Sequence, residues 1–217
     1  MVPLVRGPTP RPLAEHGARW TLAFVAERAA NPSKRPLRER YGHPEVRVEL
    51  RRMSLGKCFY CERKHTDGEQ EVDHHIEVAE RPDLAFAWEN LYLSCRACNG
   101  KAPNTQIPVA SCVDPCAPSA SPNAHLTFHG ECIQPRANSS HGRETIEKYR
   151  LHRDELDLAR ARALREFDGA YIAVLRSMNA SGRKEPSVEE REFLRDFADP
   201  ARPFSLMMAT YLKRLGL

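Results

Sequence analysis

Two pairs of cysteines, and the polar residues between them, hold most of the side chains in this sequence that could do chemistry. The pairs are Cys58-Phe-Tyr-Cys61 and Cys95-Arg-Ala-Cys98, with 33 residues between them. Each C-x-x-C turn presents two sulfur atoms from one tight loop, and a tetrahedral Zn²⁺ accepts four thiolates at about 2.3 Å. We therefore predict a structural zinc site made by these four cysteines. Two unrelated cysteine pairs, or a redox-active pair, are the alternative interpretation.

The segment between the cysteine pairs contains oxygen and nitrogen donors. It includes Val72-Asp73-His74-His75-Ile76 and Asn90, and Asn99 directly follows the last cysteine. Asp73 and Asn99 offer oxygen ligands of the kind that a hard divalent cation prefers. A histidine beside the first ligand can act as a general base on a water molecule that attacks phosphorus. These groups converge if the cysteine pairs hold the ends of two strands and a following helix.

Residues 71–101 resemble the HNH, or ββα-metal, nuclease motif. Asp73-His74 matches the pair at the end of the first strand, Asn90 the middle Asn and Asn99 the last position, with a nine-residue step between the two asparagines. The resemblance implies that Asp73 and Asn99 bind a catalytic Mg²⁺ or Mn²⁺ and that His74 is the general base. It also implies that Asn90 fastens the loop that orients the histidine, and that Lys101 contacts phosphate.

The adjacent histidine leaves an alternative open. His75 could be the base with His74 as the ligand, because many HNH proteins carry two histidines before an apolar residue. Aligning Val72 with the apolar residue that precedes the ligand in the family favours His74 as the base. A structural role for both histidines is the remaining interpretation.

A weaker resemblance extends beyond this motif. Val113-Asp-Pro-Cys116, His125-Leu-Thr-Phe128 and Gly142-Arg-Glu-Thr-Ile146 follow in an order similar to the HNH subunit of Septu-type anti-phage systems and of retron-associated nucleases. That resemblance implies a nuclease effector that works beside an ABC-type ATPase on nucleic acid, with DNA as the first candidate substrate. It makes the C-terminal helices the candidate docking surface for the ATPase.

Periodicity and turn residues predict an α+β protein, mostly α, with a zinc-stapled ββα-metal motif inside a helical chain. We expect three regions: a basic N-terminal arm with helices (1–56), the nuclease region with its zinc knuckles and a following loop (57–142), and a helical region (143–217). The first dozen residues, which contain four prolines, are predicted to be extended, with helices over 17–30 and from His43-Pro44 to a cap at Gly56. Strands are expected at 71–76 and 91–94, with a short helix beginning near Cys95.

The rest of the chain is predicted from proline content and helical periodicity. Residues 102–142 are expected to be loop, apart from a candidate strand at 125–129. Apolar residues then recur every three or four positions from Leu156 to Met178, as in one long amphipathic helix. Ser187 and Glu190 form a capping-box pattern before the next helix, and residues 204–215 give a last one.

Charge and composition limit the classes of protein. Residues 1–64 hold 14 Lys and Arg against 6 Asp and Glu, whereas residues 65–94 hold one Arg against 8 acids. An acidic segment beside basic ones suits a metal-dependent enzyme acting on nucleic acid, although a solvated surface explains the charge equally well. No run of about 18 apolar residues is present, so no membrane helix is expected. The start lacks an apolar signal region, which favours the cytoplasm.

Three cysteines and two rival functions remain. Cys112, Cys116 and Cys132 lie near His125 and His129, where a second zinc is an alternative to reduced thiols. His75-Ile-Glu77 followed by Cys95-x-x-Cys98 resembles a zinc deaminase signature, but Ser94 replaces its proline and Cys58, Cys61 and Asn99 would have no role. A zinc-stapled module that binds nucleic acid or protein without catalysis is the other alternative.

Overall fold

The computed structural model describes residues 1–65, 68–117, 119 and 121–217. The described chain is mostly helical and contains two separate two-stranded antiparallel sheets, β1-β2 and β3-β4. This arrangement confirms the predicted α+β class with mostly α content.

The N-terminal region is extended up to Pro10 and then helical. Helix α1 spans Arg11–Ala30, α2 spans Arg38–Tyr41 and α3 spans Pro44–Met53. The extended arm is therefore shorter than predicted, because a proline in the first turn of a helix leaves no intrahelical hydrogen bond broken. In α3, Val46, Leu50 and Met53 are buried on one face. That helix ends at Met53, before the predicted cap: Gly56 follows with a φ of 74°, in the left-handed region that glycine adopts readily.

The central region has the predicted ββα order. Strand β1 spans Gln70–His74, β2 spans Leu91–Cys95 and helix α4 spans Arg96–Asn99. All five residues of β2 are buried, whereas β1 is only partly covered. Strand β2 therefore forms the inner strand of the site, and β1 carries side chains toward a cleft.

The region predicted to be loop contains more structure than expected. It includes helix α5 (Pro122–His125), strand β3 (Leu126–His129), strand β4 (Cys132–Pro135) and the start of helix α6 (Ser140–Lys148). Strand β3 corresponds to the candidate strand. Strand β4 was missed because it is short and ends in proline, a residue that is depleted in strands.

The C-terminal region consists of helices α7 (Asp154–Ala180), α8 (Val188–Arg195) and α9 (Ser205–Leu215). The long helix and the capping box of Ser187 and Glu190 are confirmed. Residues from all three predicted regions, such as Leu50, Tyr92 and Phe167, belong to one hydrophobic cluster. Within the described ranges, none of the helices has both the length and the hydropathy needed to cross a bilayer.

Candidate active site

The antiparallel pairing of β1 with β2 places the predicted residues around one cleft. Asp73 lies opposite Tyr92 and His74 lies opposite Leu91. The side chains of Asp73 and His74 line a cleft together with Asn99, at the end of α4, and Lys101. The structure therefore brings together four of the residues that the HNH resemblance indicates.

Asp73 is a buried carboxylate, only 4% exposed, with a full set of donors. The Tyr60 hydroxyl donates to Asp73 Oδ2 at 2.8 Å. The Lys101 ammonium donates to Asp73 Oδ1 at 2.7 Å and Oδ2 at 2.6 Å, and to the His74 carbonyl at 2.7 Å. Burial raises the pKa of Asp73, while Lys101 and Tyr60 act in the opposite direction. Lys101, expected to contact phosphate, thus lines the cleft but gives its hydrogen bonds to Asp73 and the strand.

His74 is half-buried, and one of its ring nitrogens has a fixed partner. Its Nε2 lies 2.9 Å from the Ala85 carbonyl oxygen. Because a carbonyl only accepts, Nε2 must carry the proton, and in the neutral ring Nδ1 then keeps its lone pair. The Tyr41 ring packs against the imidazole with centroids 4.6 Å apart. Burial lowers the pKa of His74, which favours the neutral ring.

His75 has different surroundings. Its ring stacks on Tyr92 with centroids 4.3 Å apart. Its Nδ1 lies 3.5 Å from the hydroxyls of both Tyr60 and Tyr149. Burial lowers the pKa of His75 to about 4. His75 is thus part of an aromatic stack behind the cleft, whereas His74 lines the cleft.

Asn90 joins the two ends of the loop between the strands. Its Oδ1 accepts from the Ile76 amide at 2.7 Å, and its Nδ2 donates to the carbonyls of Ile76 at 3.0 Å and Leu84 at 3.3 Å. Leu84 precedes Ala85, whose carbonyl holds His74. Asn90 therefore links the start of the loop to the segment that precedes Ala85 through three hydrogen bonds.

Asn99 presents an amide oxygen to the cleft. Its Nδ2 donates to a carboxylate oxygen of Glu71, which can only accept, so the orientation of the amide is determined. Within the described ranges, no donor reaches Asn99 Oδ1. This oxygen and the Asp73 carboxylate are the hard ligands that Mg²⁺ or Mn²⁺ prefers, and the donor set fits such an ion.

The four predicted cysteines lie together. Their sulfur atoms are all within 4.8 Å of one another and all four residues are buried. The Arg153 guanidinium, in the turn before α7, lies 3.5 Å from the Cys98 sulfur and 3.8 Å from the Cys95 sulfur. Hydrogen bonding from Cys58 and the other two cysteines lowers the pKa of Cys95. Four convergent sulfurs beside a cation fit a zinc ion bound by thiolates.

Sequence reasoning missed several residues of this site. Tyr60 lies inside the first cysteine pair and Glu71 lies two positions before Asp73, so their places on the site could have been expected from the motif. Tyr41 and Arg153 come from distant parts of the chain, and no local pattern indicates their contacts. Arg35, which also lines the cleft, is exposed.

The remaining cysteines do not form a second metal cluster in the described part of the chain, where the four-cysteine group is the one found. Cys112 is buried, Cys116 is half-buried and Cys132 is exposed, and all three are free thiols. Nor does His75 join Cys95 and Cys98, as a deaminase site would need, because those two cysteines group with Cys58 and Cys61.

Comparison with known proteins agrees with this geometry. Residues 58–105 match the family model of the HNH endonucleases. The chain is 26% identical over 159 residues to the Septu protein PtuB of Bacillus thuringiensis, covering 72% of this chain and 56% of that protein. It is also 26% identical over 169 residues to the Septu protein PtuB of Bacillus mycoides (strain KBAB4), covering 63% of this chain and 57% of that protein. The chain thus spans little more than half the length of these curated relatives. It is similar to HNH endonucleases in its cysteine-framed region and resembles Septu proteins over most of its length.

Proposed function

We propose that this protein is a metal-dependent HNH endonuclease that hydrolyses phosphodiester bonds in nucleic acid, with DNA as the first substrate to test. The observation that supports this most directly is a cleft lined by two hard oxygen donors and by a histidine whose Nδ1 accepts no hydrogen bond from the described residues. His74, Asp73 and Asn99 are the residues concerned.

His74 is the proposed general base. The Ala85 carbonyl holds the proton on Nε2, so Nδ1 can take a proton from water as the water attacks phosphorus. A pKa lowered by burial keeps this nitrogen unprotonated at neutral pH. His75 is a poor candidate for the same role because its ring is enclosed by three tyrosines.

Asp73 and Asn99 are the proposed ligands of the catalytic Mg²⁺ or Mn²⁺. Such an ion, when bound, stabilises negative charge on the phosphate and on the leaving 3′ oxygen. Both oxygens of Asp73 accept hydrogen bonds from the Lys101 ammonium. Binding of the ion therefore requires Lys101 to share or release these oxygens. The released ammonium would then be free to contact a phosphate.

Zn²⁺ is the proposed ion of the four-cysteine cluster. Its role is structural, because all four ligands come from the protein and leave no open position for water or substrate. The cluster holds the first cysteine pair against the end of β2 and the start of α4. It therefore fixes the frame on which Asp73 and Asn99 are carried.

The surroundings of the cleft suit a polyanion. Arg35 lines the cleft, and within the described ranges its side chain makes no hydrogen bond or ion pair. An exposed guanidinium of this kind can bind a phosphate oxygen pair in a bidentate manner. The net charge of residues 1–64, 14 basic against 6 acidic, adds a long-range attraction for nucleic acid.

We further propose that the protein acts in the cytoplasm as the nuclease effector of an anti-phage system coupled to an ABC-type ATPase. Its resemblance to two Septu proteins supports this role. The C-terminal helices α7 and α8 are the proposed docking surface, since they expose large apolar side chains. These are Leu158, Ile172, Leu175 and Phe193.

Nicking of supercoiled plasmid in the presence of Mg²⁺ or Mn²⁺ tests the proposal. We expect His74→Ala to lower the rate by roughly 100-fold or more, the typical contribution of a general base. His129→Ala, which alters an exposed histidine on the β3-β4 hairpin, is the matched control and should retain full activity.

Zinc content, measured on both variants, should equal that of the unaltered protein. A protein that binds nucleic acid but cleaves neither DNA nor RNA, alone or with its ATPase, would instead indicate a non-catalytic binding module. Cleavage that persists in His74→Ala would overturn the role of this histidine.

A further inference from the structure

Tyr60 connects the four-cysteine cluster directly to the cleft. It lies between Cys58 and Cys61 in the first cysteine pair, and its side chain is completely buried. Its hydroxyl donates a hydrogen bond of 2.8 Å to Asp73 Oδ2. Tyr60 therefore joins the first cysteine pair to Asp73, the carboxylate that the proposed function assigns to the catalytic cation.

The position of Tyr60 is fixed from two sides. The Phe59 amide donates to the Leu93 carbonyl at 2.9 Å, which attaches the cysteine turn to β2. The Tyr60 ring stacks on Tyr149 with centroids 3.9 Å apart and an angle of 15°. With its backbone and ring both restrained, the hydroxyl can approach Asp73 from one direction only.

We propose that Tyr60 is a positioning residue that sets the rotation of the Asp73 carboxylate and so makes the affinity for the catalytic cation depend on the cysteine cluster. The tyrosine hydroxyl holds Oδ2. Oδ1 is therefore the oxygen at which a cation can replace Lys101. Hydrogen bonds to a ligating carboxylate orient it, and losing one typically weakens metal binding about 10-fold or more. The inference rests on the proposed function, because it takes Asp73 as a metal ligand.

The aromatic stack offers a matched pair of substitutions. Tyr60→Phe removes the hydroxyl and keeps the ring. Tyr92→Phe removes a second buried hydroxyl from the same stack, but that hydroxyl donates to Asp114 at 2.7 Å, outside the cleft. The two variants lose the same atom from neighbouring rings, and only one of them loses a contact with Asp73.

Mn²⁺ binding to the zinc-loaded full chain, followed by electron paramagnetic resonance, separates the outcomes. We expect Tyr60→Phe to weaken Mn²⁺ binding about 10-fold with unchanged zinc content, and Tyr92→Phe to bind Mn²⁺ as the unaltered protein does. Equal losses in both variants would assign the effect to packing of the stack and overturn the inference, as would unchanged binding in Tyr60→Phe. Absence of Mn²⁺ binding in the unaltered protein would instead overturn the proposed cation site itself.

Discussion

His74 and His75 are adjacent in the chain, yet the strand turns their rings toward different surroundings. His74 meets the Ala85 carbonyl and the open cleft, whereas His75 is enclosed by Tyr60, Tyr92 and Tyr149. His74 ends β1 and His75 directly follows it, and successive side chains of an extended chain point to opposite sides. This difference in surroundings is the physical basis for proposing His74, and not His75, as the general base.

The pH dependence of cleavage should reflect the surroundings of His74. A general base must be neutral to act, and burial lowers the pKa of this imidazole from its ordinary value of 6.5. Activity should therefore persist as the pH falls through 6.5 and decline only below it. A profile of kcat/KM against pH at saturating Mn²⁺ measures this limb. A decline that begins above pH 6.5 would contradict the assignment of a buried neutral histidine as the base.

The residues of the site divide into those that local sequence could predict and those it could not. Asp73, His74, Asn90 and Asn99 were predictable because they match the HNH motif within one short segment of the chain. The contact of Lys101 with Asp73 was not, since it depends on how the chain leaves α4. Residue type indicated the metal-ligand chemistry, and the partners of each residue required the three-dimensional fold.

At the scale of elements, the ββα unit is too small to hold itself together by burial alone. Strands β1 and β2 have five residues each and helix α4 has four. Sheets of two short strands are marginal in water, and a metal staple is a common substitute for a core. The four buried cysteines at its edges could hold such a metal.

Loss of one zinc ligand should therefore destabilise the whole unit. We expect Cys98→Ser to lose the zinc and to lower the Tm by roughly 10 °C or more, because a structural zinc contributes directly to folding free energy. Cys132→Ser is the matched control, since Cys132 is exposed and outside the cluster. Thermal melts with metal analysis of both variants measure the difference. A Cys98→Ser protein that melts like Cys132→Ser would argue against a structural metal.

The elements themselves were predictable where periodicity is long and were missed where it is short. Helix α7 has 27 residues and repeats its apolar pattern from Leu156 to Met178, so its existence was clear from sequence. Helix α2 and strand β4 have four residues each, too few to establish a period. Strand β4 is held by its pairing with β3, a contact that the sequence of β4 alone does not encode.

At the scale of the molecule, a buried polar network joins the segment that follows the first cysteine pair to the last helix. Glu62 Oε2 accepts from the Ser205 hydroxyl at 2.6 Å and lies 3.5 Å from the Lys57 ammonium, and Glu62 also contacts the Met1 ammonium. Burial alone would raise the pKa of Glu62, but the Met1 ammonium and Lys57 lower it to about 2. The network thus keeps an ionised carboxylate in the interior, where the C-terminal helix α9 begins.

Removal of the negative charge of Glu62 should destabilise the folded protein. We expect Glu62→Gln to lower the free energy of unfolding by about 3–5 kcal/mol at pH 7, because it leaves Lys57 buried without its counter-charge. Glu185→Gln, which alters an exposed partner of Arg191, should change it by less than about 0.5 kcal/mol. Urea unfolding of both variants gives the two values.

The stabilising effect of the Glu62 carboxylate should also depend on pH. A carboxylate with a lowered pKa contributes stability that is complete above its ordinary value of 4.5 and is lost as the pH falls toward 2. The difference between the unaltered protein and Glu62→Gln should therefore shrink over that range. A difference that grows as the pH falls would contradict the ion-pair role.

The burial of the Asp73–Lys101 pair also bears on how the protein responds to salt. Both side chains are at most 5% exposed, so dissolved ions screen their attraction weakly, whereas the exposed Arg35 is screened fully. A rise in ionic strength would accordingly weaken the attraction of Arg35 for phosphate. It would leave the Asp73–Lys101 ion pair intact. For the proposed nuclease, inhibition by sodium chloride would thus appear as a rise in KM with little change in kcat.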